Sequence, residues 1–549
     1  MPDQKNRFRL GCAFVISVLC LAVFQFSENT VDPDLWSHLF FGTQLIQTGK
    51  PTTVDYYSWT AYGLPSFDHE YLGEAIFGLV YLGLGGTGVL LFKMLVGLLT
   101  FGLALSIGAK SLDSKTKLIA WAFGAVAVVE ISFGFAARPQ IFTALSLAAE
   151  LWLLTRIHAG KWRWALALPP LFALWFNLHG GALAGLILLF TTAAASTLQT
   201  IGGQFSLSQR ERAGVRESRP ALIRDEGEQN SNFGTFSLGA LWLAALVSAA
   251  TVVLNPHGLE LARWLVGSVL WLRPQIQEWN PAKLDGDHAT FFICAAVAAV
   301  AYLFSRKSRP LWEMAVLGIL FLVAFRAVRN TPLFCVAALA LVPPHLADAL
   351  QRGRSHFQRF EELFQSSQLQ KGFTIILALV SAGILVAACT LHKRHFWTME
   401  IPRAQYPVAA TQFIQQHELH GNLLVYFDWG EMCIWNLTNS PVSIDGRLDS
   451  VYPPALITAH WNFYNAEPFD TNVLNLAHAD FALLPSNLAG ALALKKVYGW
   501  QPVYDDACAV VLVRNPQQFP KLAGLALPVQ GDVSATEGRD PFPNHVPPH

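Results

Sequence analysis

Long apolar runs recur from one end of the chain to the other, and they constrain its fold more than any other feature. A helix that crosses the hydrocarbon core of a bilayer needs roughly 17–25 mostly apolar residues. The sequence has about eleven runs near that length, some of them shorter, which we interpret as membrane-spanning helices. They lie near residues 10–26, 86–108, 118–134, 141–156, 164–178, 181–200, 236–254, 289–305, 311–325, 330–347 and 373–390.

The composition agrees with a membrane protein. Charged residues make up 14% of the 549 positions and hydrophobic residues 53%, whereas a soluble domain carries about 25% charge. The formal net charge of zero argues against electrostatic binding of nucleic acid. The seven cysteines form no CxxC or Cys/His pattern. Cys433 and Cys508 lie in the polar C-terminal part, and a disulfide between them is an alternative that the sequence leaves open.

Lysine and arginine are distributed unevenly between the loops, which predicts the orientation of the chain. With the N-terminus in the cytoplasm, 21 of them lie inside and only 7 lie in the outer loops before residue 391. The first apolar run follows a basic stretch and lacks a small-residue cleavage site, so we interpret it as a retained signal anchor. An odd number of spans then places the region after residue 391 outside the membrane.

The apolar run at 71–84 is the one ambiguity in this topology. If it crossed the membrane, every later loop would invert and the charge bias would be reversed. We therefore predict that it lies along the outer interface, within one extracytoplasmic loop that covers residues 31–85. The polar, aromatic-poor stretch at 201–235 is predicted to be a disordered cytoplasmic loop within a transmembrane domain of residues 1–390.

Residues 400–515 have the pattern of a small α/β domain. The segments "NLLVYF", "PVSID", "FALLP" and "AVVLVR" are typical of short buried strands. Helical segments such as "YPVAATQFIQQHEL" alternate with them, which indicates a sheet covered by helices. The topology places this domain outside the membrane. The segment 516–549, which ends in "DPFPNHVPPH", is predicted to be a disordered tail.

Polar residues gather at the predicted outer ends of the spans, on the same side as the acidic first loop. Ionisable groups at membrane depth are costly, so this arrangement indicates an outward-facing polar cavity. Each residue also has a structural alternative, because arginines at helix ends pair with carboxylates and motifs such as "DPD" and "NLHGG" cap helices. The candidate residues are Asp32, Asp34, His38, His69, Glu70, Arg138, His179, Arg326 and Arg329.

Several short motifs resemble the GT-C superfamily of polytopic membrane glycosyltransferases, especially the bacterial branch related to protein mannosyltransferases and the lipid A aminoarabinose transferase. In that branch an essential acid and an aromatic residue follow the first span, before a turn with glycine and proline and an interfacial helix. Asp34, Trp36, Gly49 and Pro51 match this order. The motifs "DPDLWSHL", "DHEYLGEAIF", "ARPQ", "NLHGG" and "RNTP" also resemble a poorly characterised bacterial group in which "FDWGEMCIW…SIDGRLD" recurs in an appended C-terminal domain. The chain lacks the Asp-Glu dipeptide of many relatives, which leaves open whether Asp32 or Asp34 acts.

The resemblance implies a polytopic helical fold in the bacterial cytoplasmic (inner) membrane, with interfacial helices in the first outer loop. It implies an enzyme that moves a sugar from a polyprenyl-phosphate donor to a glycan, lipid or protein acceptor on the extracytoplasmic face. Asp34 or Asp32 would act as general base or, in a metal-dependent enzyme, would bind Mg²⁺ or Mn²⁺. We favour Asp34 as the acting residue. The residues expected to bind the departing phosphate are Arg138, Arg326 and Arg329, and the other candidates for substrate binding are His38, His69, Glu70 and His179.

Two other functions are compatible with the same sequence. A transporter also needs an outward-facing polar cavity, but it usually has repeated or interrupted spans with polar groups near the midplane. We find no such repeat in the sequence. A non-catalytic assembly or export factor with the same fold is also compatible, because a fold does not fix a function.

Overall fold

The computed structural model describes residues 2–212, 234–270, 273, 275–284, 286–352, 366–391, 397–532 and 536–543. The chain forms two compact units, and each combines distant parts of the sequence. Unit 1 comprises Met1–Glu28, Lys93–Ala136 and Gln140–Lys393, and unit 2 comprises Asn29–Phe92, Ala137–Pro139 and Arg394–His549. Residues 31–85, which we predict to form the first outer loop, belong to the same unit as the C-terminal region, whereas the predicted domains place them with the transmembrane part.

Unit 1 is helical. The apolar runs that the sequence predicted to span the membrane are helical, although 164–178 and 330–347 are each divided between two helices. The count of about eleven spans stays a prediction. The helices are Pro2–Phe26, Lys117–Phe133, Ile141–His158, Leu168–Leu178, Ala182–Arg212, Thr235–Ala250, Leu259–Leu270, Ala289–Phe304, Leu311–Arg326, Thr331–Leu341, Pro343–Arg352 and Ser367–Leu391.

The longest helix, Tyr71–Ala109, has 39 residues. At 1.5 Å per residue it would measure about 58 Å, roughly twice the hydrocarbon thickness of a bilayer. Gly85 interrupts it with a non-helical conformation (φ 61°, ψ −157°), and only glycine adopts such a positive φ without strain. The break separates 71–84, which we predict to lie at the interface, from 86–109, which is long enough to cross the membrane by itself.

Within the described ranges, five helices are long and apolar enough to cross a membrane. The two helices on either side of Val342, which are bent by 58°, would form a sixth as one broken span. Pro343 and Pro344 explain the bend, because proline removes a backbone donor and clashes with the preceding turn. These helices indicate a polytopic helical membrane protein. The five are Gln4–Phe26, Tyr71–Ala109, Ile141–His158, Ala182–Gly202 and Thr235–Val253.

One buried acid links the ends of several helices in unit 1. Glu130 is 2% exposed, and its carboxylate lies 2.9 Å from His288 Nδ1. The hydroxyl groups of Thr290 and Thr331 donate to it at 2.5 Å. An ionisable group at this depth needs such partners, so Glu130 is explained by the packing of the unit.

Unit 2 contains the strands β1 (Glu400–Pro402), β2 (Leu423–Val425), β3 (Phe481–Pro485), β4 (Gln501–Asp505), β5 (Ala509–Val513), β6 (Val529–Gln530) and β7 (Arg539–Pro541). Five of them form one sheet in the order β2-β3-β5-β4-β6. β2 is parallel to β3 and β6 to β4, while β5 is antiparallel to both of its neighbours. β1 and β7 form a separate antiparallel pair.

Helices accompany this sheet, as expected for strands that are apolar along their whole length. β5 is buried at every position, and β3 at every position except its last. A strand without an exposed face needs cover on both sides. The helices of unit 2, besides the part of Tyr71–Ala109 before Lys93, are Leu35–Thr48, Val408–Gln416, Gly430–Asn436, Pro454–Tyr464 and Ala489–Lys496.

The segment "PVSID" differs from its prediction as a strand. Val442 forms only isolated bridges, to Ser58 and to Leu423. Pro441 has no N–H to donate, and the chain turns at Asp445, whose carboxylate accepts from the Arg447 backbone N–H at 3.0 Å. Between Pro441 and the turn at Asp445 the segment is too short for a ladder of strand hydrogen bonds, and only Val442 forms bridges.

The two segments predicted to be disordered have different outcomes. Most of 201–235 lies outside the described residues, and 201–212 continue the helix that begins at Ala182. The described residues of 516–549 are ordered by specific contacts. Arg403 pairs with Asp540 (Nη2 to Oδ1, 2.6 Å), and Phe542 is 1% exposed with its ring 4.4 Å from that of Trp36. The prediction of disorder followed from the polar, Pro-rich composition of the segment, which does not reveal these contacts.

Candidate active site

Asp32 and Asp34 stand before the helix Leu35–Thr48, and their carboxylates have different surroundings. The Asp32 carboxylate accepts a hydrogen bond from the backbone N–H of Asp34 at 3.0 Å, which shapes the turn into the helix. Asp34 occupies the N-cap position, but its side chain makes no capping hydrogen bond. Asp32 therefore stabilises the local backbone, and the Asp34 carboxylate is directed elsewhere.

Arg138 binds both acids, and we call the three residues the Arg138 cluster. Its Nε and Nη2 form a two-pronged pair with Asp32, with Nη2 at 2.6 Å from Oδ2. Its Nη1 lies 2.9 Å from Asp34 Oδ2. The Asp34 side chain is 27% exposed, against 15% for Asp32. The resemblance assigned Arg138 to the donor phosphate, whereas in the structure its guanidinium nitrogens face the two carboxylates.

The acids of this cluster help to raise the pKa values of two residues in the C-terminal region. Tyr406 is buried, and its hydroxyl donates to a backbone carbonyl at 3.0 Å. Burial raises the pKa of Tyr406 well above its ordinary value, and the charges of Asp32 and Asp34 raise it further. Asp428 keeps contact with solvent, yet desolvation by the surrounding atoms, followed by the charge of Asp32, raises its pKa. Asp428 is thus a third acid beside the cluster.

Glu431 is a fourth acid, and sequence analysis missed it. Its side chain belongs to the first turn of a short helix and is buried at 3% exposure. A methyl group added at Gly446 would lie 2.6 Å from Glu431 Oε1 and 2.7 Å from Asp34 Oδ1. At Gly430 an added methyl group would lie 2.3 Å from the Ile444 carbonyl oxygen. The glycines of "DWGEM" and "DGR" therefore allow these two segments to approach each other. These glycines were the sequence signal from which the approach could have been predicted.

A second group, which we call the Arg447 cluster, consists of Asp55, Asp445 and Arg447. Arg447 Nε and Nη2 contact the two oxygens of Asp445 at 2.8 and 2.6 Å, and Nη1 lies 2.8 Å from Asp55 Oδ1. Both acids have no exposed side-chain surface, and Arg447 is 10% exposed. The hydroxyls of Tyr452 and Ser58 donate to Asp445 and Asp55, both at 2.5 Å. Loss of one of these partners would leave the remaining buried charges without full compensation.

Three of the predicted substrate-binding residues, His38, His69 and Glu70, lie together. His38 Nδ1 is 2.9 Å from Glu74 Oε1, and its Nε2 is 3.9 Å from Glu70 Oε2. His69 Nε2 is 3.0 Å from Glu70 Oε1. Burial, followed by the charge of Glu74, raises the pKa of the neighbouring Asp68 well above its ordinary value. The group thus brings two histidines and two glutamates into mutual contact within unit 2.

In unit 1, two arginines stack on one tryptophan. The guanidinium carbons of Arg273 and Arg329 lie 4.4 and 4.6 Å from the ring centre of Trp279. Arg329 Nη1 is also 3.6 Å from Glu278 Oε1. Arg326, at the end of its helix, is exposed. Sequence analysis selected Arg326 and Arg329 but missed Arg273, whose signal was its proximity in sequence to the "QEWNP" motif.

His179 has contacts that fit its alternative as a helix cap. Its Nδ1 accepts from the Gly181 backbone N–H at 2.9 Å and lies 2.7 Å from Thr143 Oγ1. A methyl group added at Gly181 would lie 2.2 Å from Thr143 Oγ1. The motif "NLHGG" is therefore a tight turn after the helix Leu168–Leu178, and glycine is needed there for close packing.

Asp32 and Asp34 do not fit a divalent cation in this arrangement. The guanidinium of Arg138 faces the carboxylate oxygens that Mg²⁺ or Mn²⁺ would need. The described part of the chain contains no group of three or more His, Cys, Asp or Glu side chains that could hold a metal ion. The chemistry proposed below therefore relies on side chains of the protein.

Cys433 and Cys508 are both free thiols. Cys433 is fully buried, and burial, followed by the charge of Asp506, raises the pKa of Cys508 to about 12. The disulfide that the sequence left open is not formed in the structure.

The fold is similar to those of two solved membrane proteins, at low sequence identity. No family profile and no curated protein sequence matches the chain. A solved structure of the archaeal oligosaccharyltransferase AglB from Archaeoglobus fulgidus, in complex with an inhibitory peptide and a dolichol-phosphate, matches with 13% identity and a TM-score of 0.52, covering 94% of this chain and 75% of AglB. ArnT from Cupriavidus metallidurans in the apo state matches with 14% identity and a TM-score of 0.50, covering 93% of this chain and 98% of ArnT. Both are GT-C membrane glycosyltransferases. The chain therefore has the GT-C fold, and the resemblance drawn from its motifs is confirmed at the level of the fold.

Proposed function

We propose that this protein is a membrane glycosyltransferase that moves a sugar from a polyprenyl-phosphate donor to an acceptor hydroxyl on the extracytoplasmic face of a bacterial inner membrane. The GT-C fold supports this class of reaction. AglB was solved with a dolichol-phosphate, which belongs to the same chemical class as the carrier of the proposed donor. Because the identity to AglB and ArnT is only 13% and 14%, the side chains of the site have to support the rest of the argument.

The Asp34 carboxylate is the observation that carries the proposal. It is the more exposed of two acids held by one arginine, and it makes no capping hydrogen bond to its own helix. In the proposed reaction Asp34 removes the proton of the acceptor hydroxyl as that oxygen attacks the anomeric carbon of the sugar. The bond from the anomeric carbon to the phosphate oxygen breaks, and the polyprenyl phosphate leaves with the electron pair. Such a single displacement inverts the configuration at the anomeric carbon.

Asp32 and Arg138 are proposed to position the base. Asp32 shapes the start of the helix and holds two nitrogens of Arg138, which presents its third nitrogen to Asp34. The arginine restricts the rotation of the Asp34 side chain and reduces the repulsion between the two acids. This role replaces the phosphate contact that the resemblance assigned to Arg138.

Arg326 and Arg329, together with Arg273, are the proposed ligands of the donor phosphate. A guanidinium group binds phosphate through two parallel N–H groups and stays charged at every physiological pH. The stacking of Arg273 and Arg329 on Trp279 supports this assignment, because it holds two positive charges in fixed positions.

The acceptor is proposed to be a hydroxyl group of a glycan, lipid or protein. His38, His69 and Glu70 are the residues proposed to bind it, since their mutual contacts form one polar group within the first outer loop. The contacts of His179 favour a structural role, so we expect His179→Ala to affect stability more than acceptor binding.

Transfer by the purified full-length protein in lipid nanodiscs tests the proposal. The assay supplies a chemically defined polyprenyl-phosphate sugar and candidate acceptors, and it measures the release of polyprenyl phosphate. Release that requires the acceptor and is lost in Asp34→Asn is the expected result. An active Asp34→Asn protein beside an inactive Asp32→Asn protein would move the base to Asp32, and activity in both variants would contradict the mechanism.

The same preparation discriminates the two alternative functions. A non-catalytic assembly or export factor predicts no release with any donor, and it predicts that Asp34→Asn still complements a strain that lacks the gene. A transporter predicts that proteoliposomes accumulate a labelled solute without chemical change.

A further inference from the structure

Glu431 is a buried carboxyl group that the proposed mechanism does not yet use. Its side chain is 3% exposed, and in the described part of the chain its Oε2 has no hydrogen-bond partner. A negative charge on this oxygen would lack both water and a compensating hydrogen bond, which is far more costly than burial of the neutral acid. The state of this side chain therefore depends on the cations within reach.

The cations near Glu431 are already bound to other acids. Arg138 contacts Asp32 and Asp34 through its guanidinium nitrogens. Arg447, the positive charge that acts directly on Glu431, makes its close contacts with the two acids of the Arg447 cluster. Glu431 thus sits among negative charges without a counter-ion of its own in the described structure.

The other oxygen of Glu431 lies near Asp34. Oε1 of Glu431 and Oδ1 of Asp34 are 2.6 and 2.7 Å from the position that a Cβ atom at Gly446 would occupy, so the two oxygens are close to each other. Two carboxyl groups that share a poorly hydrated site do not both ionise, because their charges repel. Burial is the main cause that raises the pKa of Glu431 well above its ordinary value, followed by the charges of Asp34 and Asp445, while Ser37 and Arg447 act in the opposite direction.

We propose that Glu431 is a neutral carboxylic acid that pairs with Asp34, so that the two side chains together hold one proton while Asp34 is the ionised member. This inference rests on the proposed function, in which Asp34 must be ionised to accept a proton from the acceptor. Glu431 is then a positioning residue. Its neutral side chain packs beside Asp34 without adding a charge that would repel the base. Its ionisation as the pH rises adds that charge and inactivates the pair.

The protonation of Glu431 can be measured without any activity. Infrared difference spectra of the full-length protein in nanodiscs, recorded between neutral and alkaline pH, report the carbonyl band of a protonated carboxylic acid. We expect Glu431→Gln to remove one such band. Glu467→Gln, which changes an exposed glutamate of the same unit, should leave every such band in place. A full set of bands in Glu431→Gln would overturn the inference, whether or not the protein transfers sugar.

The pH profile of transfer tests the pairing with Asp34. Wild-type kcat/KM should fall on the alkaline side as Glu431 loses its proton. Glu431→Gln keeps a neutral side chain of the same shape, so the alkaline fall should disappear while the rate at neutral pH stays within about threefold of wild type. Glu431→Asp, which can still ionise, should retain the fall. Two results would show that Glu431 is not a neutral partner of the base. One is an unchanged alkaline fall in Glu431→Gln. The other is a shift, in this variant, of the decrease in kcat/KM at acidic pH to a lower pH.

Failure of this inference and failure of the proposed function give different results. If wild-type protein transfers no sugar from any donor, the proposed function fails, while the infrared bands still decide the protonation of Glu431. If transfer occurs and the band assignment fails, the proposed function stands and Glu431 has only a structural role.

Discussion

The Arg138 cluster and the Arg447 cluster have the same composition, one arginine that bridges two aspartates, but they differ in burial. The acids of the Arg138 cluster are 15% and 27% exposed, and those of the Arg447 cluster have no exposed side-chain surface. Tyr452 and Ser58 donate hydrogen bonds to the two acids of the Arg447 cluster, and removal of one member of such a buried group leaves an uncompensated charge. The same chemical groups thus depend on one another inside a unit where they are buried, whereas in the Arg138 cluster one carboxylate remains accessible, and there we propose the base.

Removal of a charge from the Arg447 cluster should have the largest effect on stability. Asp445→Asn leaves Arg447 buried with one anionic partner instead of two, and the loss of one member of a buried pair typically costs about 3–5 kcal/mol. We expect a large decrease in the thermal unfolding midpoint, measured by intrinsic fluorescence in nanodiscs. Asp287→Asn, at an exposed position, is the matched control and should leave the midpoint unchanged. A normal midpoint in Asp445→Asn would show that the two clusters do not differ in the proposed way.

Replacement of each bridging arginine by lysine should affect activity in the Arg138 cluster and stability in the Arg447 cluster. Lysine is a point charge that cannot contact two carboxylates with three fixed donors. Arg138→Lys should lower kcat/KM by about 10–100-fold, because small displacements of a catalytic group have effects of that size. Its unfolding midpoint should change little, since the cluster is partly solvated. Arg447→Lys should instead lower the midpoint, and equal stability losses in both variants would refute the contrast.

The pH dependence of the unfolding midpoint should reveal the protonation of Glu431, whose carboxyl group is affected by the charges of both clusters. The raised folded-state pKa of Glu431 means that the folded protein holds a proton which the unfolded chain releases above about pH 4.3. The stability from this group is complete below that pH and is lost as the pH rises towards the folded-state value, by up to about 1.4 kcal/mol per pH unit. Glu431→Gln should show a smaller slope than wild type in unfolding midpoints recorded from pH 5 to pH 8, because Asp68 and Asp428, whose pKa values are also raised, still contribute. Glu467→Gln should retain the wild-type slope, and identical slopes in wild type and Glu431→Gln would be inconsistent with a raised pKa.

The general fold was accessible from the sequence because its signals are local. Apolar runs correspond to the described helices, and Gly85 separates 71–84 from the following helix, as the interpretation of that run requires. The strand at Pro441 was wrongly predicted because its termination depends on a proline and on a turn held by Arg447. The order in the described part of the tail depends on Phe542 and Asp540, whose partners lie far away in the sequence.

The candidate site was accessible only in part. Sequence analysis selected Asp32, Asp34 and Arg138, but the separation of 106 residues between Arg138 and Asp32 hid their contact. The phosphate role of Arg138 that the resemblance implies stays a prediction, while the contacts of Arg138 with Asp32 and Asp34 support a positioning role. Glu431 was missed because its importance arises from burial beside Asp34, which no local pattern reveals. Residue types can be chosen from sequence, whereas pairing and burial decide their roles.

The most direct test of the central claim is the rate of sugar transfer by Asp34→Asn, measured on protein whose unfolding midpoint matches that of wild type. Asparagine keeps the size of the side chain but cannot act as a base, so the rate should fall by about 10²–10⁴-fold. Asp287→Asn should transfer at the wild-type rate in the same assay. A folded Asp34→Asn protein that transfers sugar within a few-fold of wild type would contradict the account.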